Sequence, residues 1–426
     1  MACVACAATP APDPGKAVTP VAEVTPVAPP RPPRRPQRPP TIYTPSGGGA
    51  ASYVSPPLSA APAADRFGKL APWERDLLRV VAEIAKAEGR TPPIPDARLH
   101  RVSLDVARAS RGNQPPPSDA LRFLINHQGV IETEPAIYTL TGPPNHPGIK
   151  ESYRGPLGKL FARAAWNRVG LGSQMKGDDI TVVLTLWEQL VELQPVPRRL
   201  PSEGRTPLSM RFLVPFTSPQ IVVTLPGGQV RALPTTVDGN LLKSELRCQS
   251  GDGRYQVEIL ASGKSGPTVL GNFPVFCGVD PPDDLSAYDE DDTENLDPAD
   301  AEQELAALIN QARQAAGAKP LVWDNRLAAI ARAHSRDMVA NNFIAHVSPT
   351  TGDAVARVKR AGLALTPILE NVGQEGGVEK AHRGFMASPA HRANILNPKV
   401  TRIGIGIVIK AGGGAPLHVT ELFTGE

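Results

Sequence analysis

Three residues in the last third of the chain, His346, Glu370 and His391, have side chains suited to binding a metal ion or moving a proton. Each lies in a short phrase with a turn-forming residue: His-Val-Ser-Pro at 346–349, Glu-Asn-Val-Gly at 370–373 and Ser-Pro-Ala-His at 388–391. Two neutral imidazoles bind zinc or another divalent ion and leave coordination positions for water or a substrate. A nearby carboxylate can fix an imidazole tautomer or act as a general base on metal-bound water. We therefore predict a cleft with His346 and His391 as metal ligands.

A purely structural arrangement of the same residues is the alternative. In it, Glu370 accepts hydrogen bonds from backbone amides and both histidines are hydrogen-bonded residues without a ligand. Because three such residues occur together in motifs, we favour a solvent-reachable cleft over this alternative. We favour binding over catalysis because a cleft alone defines no reaction.

Elements within residues 301–426 must position these side chains. Asp297 and Pro298 have the residue types of a helix N-cap and first turn, and apolar residues follow at helical spacing. Further predicted elements are helices at about 325–341 and 378–387 and strands at 403–409 and 417–423, with a glycine hairpin at 412–414. Helices over an antiparallel hairpin make an α+β sandwich. His334 and His382 are predicted to be partly exposed residues on two of the helices.

The site phrases resemble the CAP superfamily (SCP, antigen 5, pathogenesis-related 1), in particular its bacterial secreted branch, over about residues 301–426. The resemblance lies in Phe-Ile-Ala-His-Val-Ser-Pro at 343–349, Glu-Asn-Val-Gly at 370–373 and Phe-Met-Ala-Ser-Pro-Ala-His-Arg-Ala-Asn-Ile-Leu at 385–396. It implies an α-β-α sandwich with a central cleft, and export. Members share no single reaction, so the resemblance implies no particular enzyme activity.

Eukaryotic members of the superfamily have two histidines and two glutamates in the cleft, and the motifs match three of these positions. The fourth, a glutamate, has no match, and Ser388 stands near its place. Glu421, in the last predicted strand, is expected to reach the cleft in its stead.

An internal repeat predicts a second, degenerate CAP-like domain at residues 66–203. Residues 89–99 match residues 317–327 at a constant offset, and Arg-Val-Gly-Leu-Gly at 168–172 matches Arg-Ile-Gly-Ile-Gly at 402–406. The first copy has no counterpart of the three site phrases, so it keeps packing positions without the chemistry.

Composition predicts the remaining organisation of the 426 residues. Proline-rich residues 1–65 are predicted to be a disordered tether, short strands and glycine turns predict an Ig-like β-sandwich at 204–281, and acidic residues predict a linker at 282–300. The net charge of +3 is too small to indicate a nucleic-acid partner. No apolar run is long enough to predict a membrane-spanning helix.

The cysteines bear on localisation. Cys248 and Cys277 are either a disulfide, which indicates an oxidising compartment, or two buried free thiols. Cys6 follows small residues like those of a lipoprotein processing site behind a truncated export signal; an unimportant thiol is the alternative. We expect an exported bacterial protein that is extracellular or attached to the cell surface or outer membrane.

The predicted function is ligand binding outside the cell or at its envelope, through the cleft of the last domain. The candidate ligands are a divalent metal, a lipid, a glycan or another protein. One alternative is a metal-dependent hydrolase of envelope or extracellular polymers, with Glu370 as the catalytic base. The other is a structural envelope protein with a vestigial cleft.

Overall fold

The computed structural model of the chain describes residues 41–58, 71–133, 135–144, 148–287, 297–409 and 416–425. These residues divide into two compact units. The first lies within residues 37–263 and 268–289, and the second within residues 264–267 and 290–426. None of the helices in this described part has the length and apolar character needed to cross a lipid bilayer.

The first unit begins with a short segment and an α+β domain. Their elements are β1 (Thr41–Tyr43), β2 (Ser52–Ser55), α1 (Pro72–Ala87), β3 (Ile94–Pro95), α2 (Ala97–Ala109), α3 (Ser118–His127), β4 (Ala136–Gly142), α4 (Ile149–Arg163), β5 (Arg168–Lys176) and β6 (Asp179–Trp187). The domain has one sheet in the order β3-β5-β6-β4. Leu77, Val81 and Ile84 recur at helical spacing on α1 and are buried in the core against this sheet.

A β-sandwich completes the first unit. Its strands are β7 (Val191–Pro197), β8 (Arg199–Leu200), β9 (Arg205–Phe212), β10 (Thr217–Thr224), β11 (Val230–Ala232), β12 (Thr236–Asp238), β13 (Leu241–Arg247), β14 (Gly253–Gly263) and β15 (Gly266–Cys277), with β16 (Leu285–Ala287) beyond them. Two five-stranded sheets, β11-β10-β14-β15-β8 and β12-β13-β9-β7-β2, share one hydrophobic core. A disulfide joins the buried residues Cys248 and Cys277.

Three predicted boundaries differ from the structure. The tether predicted at 1–65 includes β1 and β2, and β2 extends a sandwich sheet by pairing with β7. The sandwich starts at β7 rather than at residue 204, and β16, inside the linker predicted at 282–300, pairs with β1. Short apolar stretches explain all three differences, because side chains such as Tyr53, which is fully buried, offset the entropy of ordering the backbone. Residues 1–40, 288–296 and 410–415, which include Cys6 and the glycine hairpin, lie outside the described residues.

The second unit is an α-β-α sandwich. Its elements are α5 (Pro298–Ala315), β17 (Val322–Trp323), α6 (Asn325–Asn341), α7 (Ala354–Arg360), β18 (Ile368–Glu375), α8 (Val378–Ala387), α9 (Pro389–Ile395), β19 (Arg402–Ile409) and β20 (Leu417–Thr424). The sheet order is β17-β19-β20-β18. Helix α6 packs on one face, and α5 and α8 pack on the other. Asp297 caps α5 by accepting hydrogen bonds from two backbone amides, and Pro298 follows in the first turn, as predicted.

The sheets of the two α+β domains have the same strand order and the same register. Gly170 and Gly404 each face a leucine of the helix that packs on that side of the sheet, Leu99 on α2 and Leu327 on α6. Gly170 pairs with Thr185, and Gly404 pairs with Leu422. The helix–glycine packing therefore follows the repeat that the sequence shows.

Candidate functional site

The site is built on β18, an edge strand of the C-terminal sheet. Glu370 and Asn371 are neighbours on this strand, so their side chains point to opposite faces. Glu370 pairs with Leu422, which packs with residues of α6, so Glu370 lies on the α6 face. Asn371 pairs with Glu421, and both therefore point to the face covered by α5 and α8.

On the α6 face, the carboxylate of Glu370 contacts two basic side chains. His346 Nδ1 lies 3.0 Å from Glu370 Oε1, and Arg357 Nη2 donates to Glu370 Oε2. Side-chain exposure is 4% for both Glu370 and Arg357, but 20% for His346. The imidazole is therefore the part of this cluster that solvent reaches.

The charge state of Glu370 follows from these contacts. Burial by itself raises the pKa of Glu370, but the hydrogen bond and charge of His346, together with the charge of Arg357, outweigh it. The pKa consequently lies below its ordinary value of 4.5, so the group is a carboxylate at neutral pH. A carboxylate only accepts hydrogen bonds, so His346 Nδ1 carries the proton between them.

The backbone around His346 is held on both sides. His334 Nε2 lies 3.0 Å from Ala345 O and donates to it, and Arg357 Nη1 lies 3.1 Å from His346 O. His334 is 1% exposed, so the prediction of a partly exposed helix residue is wrong. Its burial follows from the packing of Phe343 and the 345–346 backbone over α6, which helical periodicity alone does not show.

Asp337 on α6 anchors the loop that follows His346. Ser348 Oγ donates to Asp337 Oδ2 and accepts hydrogen bonds from the amides of Thr350 and Thr351. Burial acts to raise the pKa of Asp337, but hydrogen bonds from hydroxyl and amide side chains lower it overall. The His346 loop is thus fixed to the helix beneath it.

The opposite face of β18 carries a second polar cluster. Asn371 Nδ2 donates to Glu421 Oε2 at 2.8 Å and to the backbone carbonyl of His391 at 3.3 Å. Asn394 Nδ2 donates to Asn371 Oδ1 at 2.9 Å, which ties α9 to the strand. The His391 ring packs edge-on against Phe385, with the ring centroids 5.2 Å apart.

The predicted site residues therefore fall into two groups. His346 and Glu370 meet directly, whereas Glu421 lies on the other face of the sheet because strand alternation separates it from Glu370. His391 is placed by Phe385 and Asn371, on the face of Glu421. Glu421 therefore does not lie beside Glu370, although the sequence predicts it as the missing cleft glutamate.

Ser388 has a local role in the structure. It is the N-cap residue of α9, with its side chain accepting a hydrogen bond from the amide of His391 at 3.4 Å. At the other end of α9, the buried guanidinium of Arg313 donates to the carbonyls of Ile395 and Asn397. Both contacts fix the helix that carries His391 and Asn394.

Glu421 is fully buried, and burial raises its pKa to about 8, although the hydrogen bond from Asn371 acts against this. Glu421 is thus a neutral acid at pH 7. Its Oε1 atom has no hydrogen-bond partner among the residues that the structure describes.

The donor set does not fit the expected divalent metal. Both oxygens of Glu370 are engaged, one by a guanidinium, and a positive charge beside the carboxylate opposes cation binding. Across the described ranges, no group of three or more His, Cys, Asp or Glu side chains is placed to hold a metal ion. Zinc binding stays a prediction of the motif alone.

The first α+β domain lacks this polar cluster at matching register positions. Gly170 matches Gly404, so Ile137 takes the place of Glu370, Tyr138 that of Asn371 and Leu184 that of Glu421. The assignment of this domain to the CAP fold stays a prediction, supported by its strand order.

Four residues that shape the site were not predicted as site residues: Arg357, His334, Asn371 and Asn394. Asn371 and Asn394 lie inside the site phrases, so their position beside Glu370 and His391 was the available signal. Arg357 lies outside the site phrases, and its contact with Glu370 joins α7 to β18, which only the fold determines.

A family model described as "CAP: Cysteine-rich secretory protein family" matches residues 306–423. This span contains both polar clusters and nearly all of the α-β-α sandwich. Residues 306–423 therefore form a CAP domain.

Two curated relatives come from Bacillus subtilis (strain 168). "Uncharacterized protein YkwD" is 39% identical over 108 residues, which are 25% of this chain and 42% of the relative. "Uncharacterized membrane protein YlbC" is 31% identical over 110 residues, which are 25% of this chain and 31% of the relative. The chain thus spans less than half the length of the curated relatives it matches.

Solved structures with similarity include an extracellular protein with an SCP domain from Bacillus anthracis str. Ames and an outer surface protein from Borrelia burgdorferi. The alignment with the first is 21% identical and spans 46% of this chain and 67% of the B. anthracis chain, with a TM-score of 0.28. The alignment with the second is 16% identical and spans 31% of this chain and 96% of the B. burgdorferi chain, with a TM-score of 0.29.

Proposed function

We propose that this protein acts outside the cell or at its surface, as a binding protein whose CAP domain contacts a glycan of the cell envelope through His346. The family description, which names secretory proteins, supports the location. The disulfide between Cys248 and Cys277 supports it independently, because disulfides persist in oxidising compartments.

The contact of 3.0 Å between His346 Nδ1 and Glu370 Oε1 carries the proposal. It turns Nδ1–H towards Glu370 and leaves Nε2 as the ring atom that meets a ligand. Nε2 accepts a hydrogen bond from a ligand hydroxyl or amide N–H when it carries a lone pair, and donates to a hydroxyl or amide oxygen when it carries a proton. Envelope glycans are dense in both groups, whereas an acyl chain offers neither.

A hydrolase is the second candidate, favoured by the same pair of residues. An imidazole oriented by a carboxylate can accept a proton from water as a general base. Because the donor set does not fit a divalent ion, this candidate would not use the predicted metal. A structural role without any ligand is the third possibility.

Co-sedimentation of the full chain with purified peptidoglycan sacculi tests the proposal. His346→Ala and Glu370→Gln are expected to weaken binding about tenfold or more, as loss of one oriented hydrogen bond implies. His382→Gln, on α8 and outside the Glu370 cluster, is the matched control and should bind like the wild type. Binding that both site variants retain in full contradicts the proposal, and release of soluble fragments from the sacculi would indicate the hydrolase.

A further inference from the structure

Each α+β domain contains one aspartate and two arginines at equivalent positions at the β3 or β17 edge of its sheet. In the first domain they are Asp96, Arg98 and Arg168, and in the CAP domain they are Asp324, Arg326 and Arg402. Each aspartate caps the following helix and pairs with the arginine two residues later, with contacts of 2.6 Å and 2.9 Å. Each second arginine starts the strand next to the edge strand, opposite Ile94 or Val322.

In the first domain, the two arginines bind an extended segment of the same chain. Arg98 Nη1 donates to the carbonyl of Val54, and Arg168 Nη2 donates to the carbonyls of Pro56 and Pro57 at 3.0 Å and 2.9 Å. The segment covers both guanidinium groups. The Arg98 side chain is 12% exposed and Arg168 is 4% exposed.

In the CAP domain, the equivalent arginines are more exposed than their counterparts in the first domain. The side chains of Arg326 and Arg402 are 39% and 23% exposed, and the hydrogen bonds of their guanidinium groups go to Asp324. Val322, the counterpart of Ile94, is 37% exposed and lies opposite Arg402. The CAP domain thus presents an apolar side chain and two guanidinium groups where the first domain holds a peptide.

We propose that Arg326 and Arg402 form a docking site for an extended, proline-containing peptide segment of a partner protein. The first domain shows the binding mode, with carbonyls of residues 54, 56 and 57 meeting equivalent guanidinium groups. The occupant needs carbonyls at this spacing and no free carboxylate, since Asp324 already balances part of the positive charge.

Proline fits this chemistry for a physical reason. A polyproline-like segment makes no internal hydrogen bonds, so its carbonyls are available to donors such as guanidinium. Its backbone is already restricted, which lowers the entropy that binding costs. Apolar proline rings also suit the exposed side chain of Val322.

The docking site is separate from the site at His346. Strands β17 and β18 are the two edges of the sheet β17-β19-β20-β18. Arg402 lies next to the β17 edge, and Glu370 lies on β18. Peptide binding and glycan binding can therefore be measured and lost independently.

Fluorescence anisotropy with a labelled peptide tests the inference, using the full chain and the sequence of residues 52–58, Ser-Tyr-Val-Ser-Pro-Pro-Leu. Arg326→Gln and Arg402→Gln should each weaken binding about tenfold, because each removes charge-assisted hydrogen bonds. A peptide with both prolines replaced by alanine should also bind more weakly.

Arg336→Gln, on an exposed position of α6, is the matched control and should leave the affinity unchanged. Arg326→Lys keeps the charge beside Asp324 but not the forked geometry, so it should also weaken binding. No binding of the peptide overturns the inference. Equal binding by wild type, Arg326→Gln and Arg402→Gln also overturns it, since the peptide would then bind elsewhere, such as at the β7 edge that β2 occupies.

Discussion

Arg357 and Glu370 form an ion pair in which each side chain is only 4% exposed. The pair links α7 to the edge strand β18, and the second oxygen of Glu370 orients His346. Arg357 also donates to the backbone carbonyl of His346. One guanidinium therefore fixes both the backbone and, through Glu370, the ring of the residue proposed to meet the ligand.

Replacing Arg357 with methionine tests this role. The substitution leaves a buried carboxylate without its permanent counter-charge, so we expect the free energy of unfolding to fall by about 3–5 kcal/mol. Urea denaturation measures the change. Arg383→Gln breaks a pair with Glu379 in which both side chains are 41% exposed, and it should cost no more than about 0.5 kcal/mol. Similar losses in both variants would contradict the role of the buried pair.

Glu370 should also contribute to the acid limb of the stability profile. Its pKa is lower in the folded state than its ordinary value of 4.5, so its stabilisation is present above that pH. The contribution is lost as the pH falls through the folded pKa. Glu370→Gln should therefore be less stable than wild type near pH 7, with the difference shrinking towards pH 3, as measured by urea unfolding at several pH values. A difference that is constant with pH would rule out this ionisation.

Glu421 should change the free energy of unfolding with pH in the opposite direction to Glu370. Burial raises its pKa to about 8, so its stabilisation is complete below 4.5 and is lost as the pH rises through 8. In this window the wild type should lose up to about 1.4 kcal/mol per pH unit relative to Glu421→Gln. Unfolding curves at pH 5, 6.5 and 8 measure the slope. Glu379→Gln, at a position whose side chain is 41% exposed, is the control, and a Glu421→Gln variant with the wild-type slope would contradict the assignment.

The CAP domain could be predicted from the sequence because the features that indicate it are local. The phrases around His346, Glu370 and His391 and the Asp297 cap each lie within a few residues, and the fold confirms the α-β-α sandwich that they implied. The alternation of strands also follows from sequence alone, but a strand's partner does not. Glu421 was expected near Glu370, yet its pairing partner is Asn371, one residue away and on the opposite face.

Long-range pairing explains the other differences. Strand β2 lies in a proline-rich stretch, and only its pairing with β7, more than a hundred residues later, makes it part of a sheet. The contact of Arg357 with Glu370 likewise requires α7 to pack beside β18. Composition and periodicity describe the chain near each residue, so neither contact can be obtained from them.

The structure explains why each copy of the repeat has two glycines in the strand on which a helix packs. A Cβ atom at Gly404 or Gly406 would overlap backbone atoms of α6 at Ala328 and Arg332. Backbone cannot move aside as a flexible side chain can, so Gly404→Ala and Gly406→Ala should each destabilise the protein by about 3 kcal/mol or more. Thermal unfolding and chemical denaturation of both variants measure this loss of stability.

The repeat provides the internal comparison for this prediction. Gly170 and Gly172 meet the backbone of α2 in the same way, so alanine there should destabilise the first domain by a similar amount. Gly155 on α4 has no atom within 4 Å of the position where a Cβ would lie. Gly155→Ala should be neutral or stabilise its helix by up to about 1 kcal/mol, because alanine restricts the unfolded chain. If alanine is tolerated at Gly404 and Gly170 as well as at Gly155, close packing of helix on glycine cannot be what the two domains share.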